Sequence, residues 1–266
     1  MAIMVVGNHP WCDAGWEKCP LAGEGKEAVD RKSITLEQEE LTKQVFAANP
    51  RTVVVLRASF PYAINWTQEH LPAIVHTTNG SQEEGNALAD VLFGDYNPGG
   101  KLVDTWPKSL DQLPPMMDYD LRHGHTYMYF KGEPLYPFGF GLSYATFKHA
   151  NAKLSASKLP ANGQIVVSVD ITNSGTREGD EVVQLYVKHT DTKVAWPNEE
   201  LKGFQRVRLQ PGETKTVKMP LAAKSLAYFA EAQGQFVVLE EPVTLRIGSS
   251  SADIRLEQKV AVVAAK

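Results

Sequence analysis

The sequence predicts an α/β domain with a mostly parallel sheet, followed by an all-β sandwich. Short β-branched runs alternate with helical patterns up to about residue 93, and from about residue 150 apolar residues recur at every second position. A chain of 266 residues is long enough for two domains with separate cores. We therefore place the first domain at residues 1–149 and the second at residues 150–266, with an extended connection over about residues 96–149.

The first domain opens with strand signals. Ile3–Val6 and Thr52–Leu56 are continuous apolar runs of strand length, as expected of strands covered on both faces, and Ala73–Val75 is a shorter candidate. From Tyr96 to Tyr144 the chain is rich in proline, glycine and aromatic residues and shows little periodicity, which indicates an ordered, extended connection.

Two helices are predicted between these strands and the connection. Thr35 and Gln38 have the spacing of a capping box, which predicts a helix that runs to about Ala48. A second helix is predicted over Ser81–Phe93, with Ser81 as its cap and Gly94 at its end. The apolar stripe of the second helix would consist of Leu88, Val91 and Leu92.

The second domain shows the alternation of antiparallel strands with one buried face. Turn signals such as Asn173-Ser174-Gly175 and Pro211-Gly212-Glu213 separate the runs, which favours a sandwich of the immunoglobulin or fibronectin type III kind. The inward positions are predicted to be Ile165, Val167, Val169 and Ile171, then Val183, Leu185 and Val187, with further strands at Thr214–Met219 and Val243–Ile247.

Composition excludes several partners. A formal net charge of -4 provides no basic surface for nucleic acid, and no apolar run approaches the length of a membrane span. A neutral ligand fits this charge balance better. Cys12 and Cys19 share one loop, where they form either a small disulfide ring or two reduced thiols, and with His9 they make no convincing metal site. We expect neither a metal nor a cofactor.

The chain begins inside a predicted strand, without the features of a signal peptide. Natural domains usually begin at their surface, so this start suggests a fragment or a reading frame that was assigned from an internal methionine.

Five stretches, in this order, resemble the family 3 glycoside hydrolases, the β-glucosidases and β-xylosidases. The fifth of them resembles the fibronectin type III-like domain that ends many of these enzymes. The stretches are Gly23-Glu24-Gly25 with Asp30-Arg31-Lys32, then residues 82–94, Asn97-Pro98-Gly99-Gly100-Lys101-Leu102, residues 134–144, and Glu199-Glu200-Leu201-Lys202-Gly203-Phe204 with residues 209–214.

The resemblance implies a retaining, exo-acting enzyme that removes terminal β-D-glucosyl or β-D-xylosyl residues from β-linked oligosaccharides or glycosides. Such enzymes combine a (β/α)₈ barrel that carries an aspartate nucleophile with a flavodoxin-like α/β sandwich that carries the acid/base. No barrel is recognisable in this sequence, and the first strands of the α/β sandwich are missing too. We therefore expect the isolated chain to be inactive.

The resemblance also assigns the candidate site residues. Glu24 is the expected acid/base, and Glu27 is the alternative, because a Gly-Glu-Gly stretch ahead of an Asp-Arg pair is where the family's catalytic glutamate commonly lies. Asp30 and Arg31 are expected to stabilise this loop as an ion pair or cap. Trp16 and His9 are weaker candidates for sugar contacts, because loop aromatics and histidines more often have structural roles. His76, a further such candidate, has the same structural alternative.

Two other functions stay open at this stage. The chain can be a non-catalytic module that binds carbohydrate or protein, or one subunit of a split glycosidase that is completed by a separate barrel. Self-association is open as well, because an incomplete sheet leaves an uncovered edge. For the full-length parent, export to the periplasm or beyond the cell is favoured over the cytoplasm.

Overall fold

The computed structural model describes residues 1–7, 31–190, 192 and 194–265. These residues belong to two compact units that interleave along the chain. The first unit takes Met1–Ala89, Thr105–Tyr119 and Lys131–Tyr136, and the second takes Asp90–Asp104, Asp120–Phe130 and Pro137–Lys266. The division into domains near residue 150 stays a prediction.

The first third of the chain alternates strands with helices, as predicted. Its strands form a three-stranded parallel sheet in the order β1-β2-β3, so that β2 is central. The elements are β1 (Ala2–Gly7), α1 (Glu39–Ala48), β2 (Thr52–Arg57), α2 (Asn65–His70), β3 (Ala73–Thr77) and α3 (Glu84–Phe93).

The central strand supplies the core of this sheet. Val54, Val55 and Leu56 are buried almost completely, as expected for a continuous apolar run between two neighbouring strands. The predicted fold class, a mostly parallel α/β sheet followed by a β-sandwich, is confirmed by this architecture.

The predicted capping box at the start of α1 does not form. The helix begins at Glu39, and the Thr35 amide donates instead to the Ser33 hydroxyl at 3.0 Å. The Gln38 side chain accepts a hydrogen bond from the Gly7 amide at 2.8 Å, which takes it away from the helix start. A tertiary contact therefore replaces the predicted local one.

Helix α3 also differs from its prediction. It begins at Glu84, three residues after the predicted cap, and none of its residues is buried. The side chains of the predicted stripe are half-buried, and Phe93 is 71% exposed. Gly94 ends the helix, as predicted, with a positive φ of 85° that favours glycine.

The connection over residues 96–144 contains more regular structure than predicted. It includes two 3₁₀ turns, at Leu110–Gln112 and Leu121–His123, and one short helix, α4 (Thr126–Tyr129). An isolated bridge joins Trp106 to Tyr136 within the first unit.

The second unit contains the sandwich. A five-stranded sheet has the order β5-β13-β12-β7-β8, a three-stranded sheet has the order β4-β6-β9, and β10 pairs with β11. All pairs are antiparallel except β5 with β13. The strands are β4 (Phe147–Leu154), β5 (Lys158–Pro160), β6 (Gln164–Asn173), β7 (Gly179–His189), β8 (Glu200–Leu209), β9 (Thr214–Ala222), β10 (Ala227–Ala230), β11 (Gln235–Val238), β12 (Pro242–Gly248) and β13 (Ile254–Val263).

The predicted inward positions of β6 and β7 do form the core between the two sheets. Val167, Val169 and Ile171 on β6 and Val183 and Leu185 on β7 have no exposed surface. Period-two alternation therefore located this core correctly.

One end of this core is polar. His149 on β4 has a fully buried side chain, and its Nε2 lies 3.7 Å from the Glu181 carboxylate on β7. Glu181 also accepts from the Ser249 hydroxyl at 2.6 Å and lies 3.9 Å from the Lys101 ammonium. Burial raises the pKa of Glu181 and lowers the pKa of His149 to about 4.

Asn97 fastens the connection to the sandwich. Its side-chain nitrogen, Nδ2, donates to the Glu178 carbonyl at 2.8 Å. Its side-chain oxygen accepts from the Ser143 hydroxyl at 2.9 Å and from the Tyr144 backbone amide at 2.8 Å. One side chain thus links three stretches of chain within the second unit.

Gly139 makes a second fastening. Its carbonyl accepts from the buried Gln184 side chain at 3.1 Å, and its amide donates to the Leu102 carbonyl at 2.8 Å. Its φ is 80°, and a Cβ atom there would lie 2.2 Å from the Gln184 side-chain oxygen. Both backbone geometry and space therefore require glycine.

Candidate functional site

The carboxyl edge of the parallel sheet is where a ligand site is expected. β1 ends at Gly7, β2 at Arg57 and β3 at Thr77. Parallel strands present their carboxyl ends at one edge, and open α/β sheets bind ligands in the crevice outside that edge. In this chain, residues 8–30 connect Gly7 to Arg31.

Gly7 permits a close approach of the first two strands at this edge. Its φ is 141°, and a Cβ atom would lie 1.9 Å from the Arg57 carbonyl oxygen. The Gly7 amide is held by the Gln38 side chain. The point where the chain leaves β1 is therefore fixed by backbone contacts that only glycine permits.

Of the site residues predicted in the loop after β1, the structure describes Arg31. Its guanidinium carbon lies 3.6 Å from the centre of the Phe60 ring and 4.8 Å from that of the buried Tyr62. Such cation–π contacts are worth about 0.5–2 kcal/mol, depending on desolvation. Arg31 thus packs on two aromatic residues that follow the carboxyl end of β2.

Phe60 and Tyr62 were missed by the sequence reasoning. The available signal was the placement of two aromatic residues directly after a buried strand, at the edge where a parallel sheet binds its ligands.

Arg57 and Glu84 form an ion pair near the same edge. The guanidinium Nε lies 2.8 Å from Glu84 Oε1, and the other carboxylate oxygen accepts from the Gly80 amide at 3.3 Å. Glu84 belongs to one of the family-like stretches, and these contacts give it a structural role at the start of α3.

His76 has a structural hydrogen bond at this edge. Its Nε2 lies 3.1 Å from the Ala58 carbonyl oxygen, and its ring meets the buried Trp106 edge-on at 5.1 Å. These contacts match the structural alternative that the sequence left open for this histidine.

The other predicted site residues lie outside the described residues. They are His9, Trp16, Glu24, Glu27 and Asp30, and the loop residues Cys12 and Cys19 lie there as well. Their assigned roles, together with that of Arg31, stay predictions. Within residues 1–7, 31–190, 192 and 194–265, no three His, Cys, Asp or Glu side chains cluster to hold a metal. No helix in the described part of the chain is both long and apolar enough to cross a bilayer.

Comparisons with known proteins match two family models to this chain. The model of the glycosyl hydrolase family 3 C-terminal domain matches residues 1–144, and that of the fibronectin type III-like domain matches residues 181–251. The first match alone covers more than half of the 266 residues.

Curated relatives carry hydrolase names. A β-xylosidase of Formosa agariphila is 37% identical over 94% of this chain and 34% of its own length, and a β-glucosidase of Kluyveromyces marxianus is 37% identical over 95% and 30%. A periplasmic β-glucosidase of Salmonella typhimurium is 37% identical over 78% of this chain and 29% of its own length. The chain spans about a third of the length of these relatives.

Solved structures agree with the sequence relatives. A β-D-glucoside glucohydrolase from Trichoderma reesei superposes with a TM-score of 0.85 at 29% identity, over 98% of this chain and 40% of that one. The Kluyveromyces marxianus β-glucosidase in complex with glucose gives a TM-score of 0.85 at 34% identity, over 98% and 32%. From the family match over residues 1–144, the chain belongs to glycosyl hydrolase family 3.

Proposed function

We propose that this chain is the C-terminal part of a retaining, exo-acting β-glycosidase and that Glu24 is its acid/base. The observation that carries the proposal is the position of the two residues that flank residues 8–30 in a family 3 chain. They connect Gly7, at the carboxyl end of β1, to Arg31, which packs against Phe60 and Tyr62 after β2. This edge is where open α/β sheets bind their ligands, which supports a role in catalysis for residues near it.

The proposed chemistry proceeds in two steps. In the first step the protonated Glu24 carboxyl donates its proton to the glycosidic oxygen while an aspartate attacks the anomeric carbon. The bond to the leaving group breaks, and a covalent glycosyl-enzyme forms. In the second step the Glu24 carboxylate removes a proton from water, the water oxygen attacks the anomeric carbon, and the bond to the aspartate breaks.

This role sets a condition on the environment of Glu24. A carboxyl that donates a proton near neutral pH needs a raised pKa, which a poorly solvated site or a nearby negative charge provides. Trp16 and His9 are proposed to contact the sugar, and Asp30 with Arg31 to steady the loop. In a retaining enzyme the two carboxyl groups would stand about 5–5.5 Å apart.

The aspartate nucleophile is proposed to come from a (β/α)₈ barrel outside these 266 residues. The barrel would belong either to the same polypeptide or to a separate subunit. The relatives support this arrangement, because the matched part is about a third of their length.

The proposed substrates are terminal β-D-glucosyl or β-D-xylosyl residues of β-linked oligosaccharides and glycosides. Relatives of similar identity are named β-glucosidase and β-xylosidase, which supports both sugars. A periplasmic or secreted location is proposed for the complete enzyme, with support from the relative named as periplasmic.

The decisive experiment joins this chain to the barrel domain of a family 3 relative. The isolated chain should not hydrolyse nitrophenyl β-glucoside or β-xyloside, because one carboxylate cannot complete both steps, whereas the joined protein should. Glu24→Gln should then lower kcat on the nitrophenyl substrate by about 10²–10⁴-fold. It should have a much smaller effect on the first step with a dinitrophenyl glycoside, measured as the initial burst of dinitrophenol, because this leaving group needs no proton.

Azide provides the diagnostic second readout. It attacks the glycosyl-enzyme without a general base, so it should restore turnover in Glu24→Gln and yield a β-glycosyl azide. Glu27→Gln is the matched control and should behave like the unmodified protein. The same pattern in Glu27→Gln would transfer the role to Glu27, and its absence from both variants would refute the assignment to this loop.

A further inference from the structure

A cleft on the second unit carries an inference that does not depend on the acid/base assignment. It measures about 490 Å³, within the size range of small-molecule sites. Its aromatic lining consists of Tyr129, Trp196, Tyr228 and Phe229, and its charged lining includes Arg122 and Glu200.

The aromatic part of the cleft is held rigid from behind. The Trp196 ring stacks on His189 at 3.6 Å with an angle of 4° between the planes, and it meets Tyr228 edge-on at 5.7 Å. His189 Nδ1 is bonded in turn to the Glu241 carboxylate at 2.7 Å, and both of these side chains are largely buried. A polar pair buried behind an aromatic ring positions that ring before any ligand arrives.

The walls of the cleft are joined by backbone contacts. The Asn198 amide donates to the Met128 carbonyl at 2.6 Å, and its side chain donates to the Phe130 carbonyl at 3.2 Å. These bonds tie the Trp196 segment to helix α4, which carries Tyr129. A cleft held in this way loses little conformational freedom when it binds.

Two polar atoms of the lining residues lack partners. Trp196 Nε1 and Glu200 Oε2 are both shielded from solvent and make no hydrogen bond among the described residues. An unsatisfied buried polar group costs about 1–3 kcal/mol, so each calls for an explanation. The other Glu200 oxygen, Oε1, accepts from the Lys202 ammonium at 2.9 Å, so the carboxylate has room for one further donor at Oε2. A hydroxyl group can supply that donor, and it can also accept from an indole N–H.

The charges of the cleft select among ligand classes. Arg122 is already paired with Asp120 through two hydrogen-bonded nitrogens. Glu200 and Glu231 would repel an anion, and an apolar peptide would bury both carboxylates at a cost. A neutral polyhydroxylated ring has C–H faces for the aromatic side chains and hydroxyls for the polar atoms.

We propose that this cleft binds a neutral oligosaccharide. The choice of β-linked sugars as probes rests on the proposed function, but the site itself does not. Rotation of side chains on binding is common. Turning the Glu200 side chain would bring its shielded oxygen to the ligand, while the fixed Trp196 ring offers its face.

The test is a titration of the full chain with cellopentaose and, separately, with xylopentaose. The NMR signals of the indole N–H groups monitor the binding. The chain has five tryptophans, and Trp196→Phe identifies the signal of Trp196 by its disappearance. We expect either sugar to shift that signal at millimolar concentration or below. Phe229→Ala should weaken binding about fivefold through lost ring contact, and Glu200→Gln should weaken it as well.

Phe204→Ala is the matched control, because Phe204 is an exposed phenylalanine of the same sandwich that does not line the cleft. Its affinity should equal that of the unmodified chain. Circular dichroism verifies that each variant is folded. No shift with either sugar, a shift confined to other indoles, or equal losses in Phe204→Ala and Phe229→Ala would each overturn the proposal. Binding without hydrolysis would support this site even if the proposed function failed.

Discussion

His149 and Glu181 are the residues whose chemistry is most constrained by burial in the sandwich. Both side chains face the space between the two sheets, and neither ring nitrogen of His149 has a hydrogen-bond partner among the described residues. The charged groups around them are Lys101, Asp253 and Arg255. Because these groups are desolvated, the protonation of His149 is coupled to the stability of the whole core.

We predict that stability falls between pH 6.5 and pH 4 because of His149. Its pKa drops to about 4 in the folded state, so the unfolded chain binds more protons in this interval. The contribution of His149 is complete above its ordinary pKa and is lost as the pH falls toward 4, with an upper size of about 3 kcal/mol. Glu181 acts in the opposite direction, because its raised pKa favours the protonated form.

Urea unfolding at pH 7 and at pH 4.5 measures this loss of unfolding free energy. Hydrogen exchange of the β7 amides at the same two pH values reports the loss within the core. His149→Gln should show a smaller drop than the unmodified chain. The matched variant His123→Gln changes an exposed histidine of the same unit and should retain the full drop. Equal pH dependence in all three proteins would contradict the prediction.

At the scale of elements, the pairing of β1 with β2 depends on Gly7. Gly7→Ala would place a methyl group against the Arg57 carbonyl at a φ that alanine rarely adopts. Backbone strain and overlap together should destabilise the sheet by about 2–5 kcal/mol.

Gly85→Ala is the control for that prediction. Gly85 lies within α3, and an added Cβ would meet nothing within 4 Å. Alanine there should raise stability by up to about 1 kcal/mol, because it is the better helix former. Urea unfolding measures both changes in stability, and hydrogen exchange of the β2 amides shows whether they arise in the parallel sheet. If the Gly7→Ala protein is as stable as the unmodified chain, the pairing of β1 with β2 does not depend on glycine at this position.

Elements with strong periodicity were predictable from the sequence. The inward residues of β6 and β7 followed from alternation, because a sheet that buries one face repeats every two residues. The start of α1 was wrong, because Gln38 bonds to Gly7, which is 31 positions away in the chain. Local capping rules contain no information about such a partner.

The candidate sites were predictable only in part, for a related reason. Glu24 followed from a resemblance over contiguous residues, and its role stays a prediction. The aromatic cleft was missed, because its lining comes from three separate stretches around residues 122–129, 194–200 and 228–231. No local pattern marks residues that become neighbours only after the sandwich forms.

At the scale of the whole molecule, β1 lies at an edge of its sheet and exposes apolar side chains. Ile3 is 42% exposed and Val5 is 63% exposed, and among the described residues β1 pairs only with β2. Exposed apolar edge strands tend to pair with a second copy. We therefore predict that the isolated chain self-associates at micromolar concentration.

Val5→Lys should shift the isolated chain toward the monomer, because a charge at an edge opposes pairing. Val103→Lys is the control: Val103 is 77% exposed but lies in the connection, so the same charge there should leave association unchanged. Sedimentation velocity distinguishes the outcomes. A monomeric unmodified chain, or equal effects of the two lysines, would contradict the role of β1.

The hydrogen bonds by which Asn97 and Gly139 hold the connection on the sandwich bear on how such sequences diverge. Both residues lie in family-like stretches, yet their contacts are with backbone groups, the Ser143 hydroxyl and the Gln184 side chain. Mutations that retune sugar preference can therefore accumulate elsewhere while these positions stay unchanged. Sequence comparisons that depend strongly on these two positions would group glucosidases with xylosidases. The two positions report that the connection is packed on the sandwich, and not which sugar is preferred.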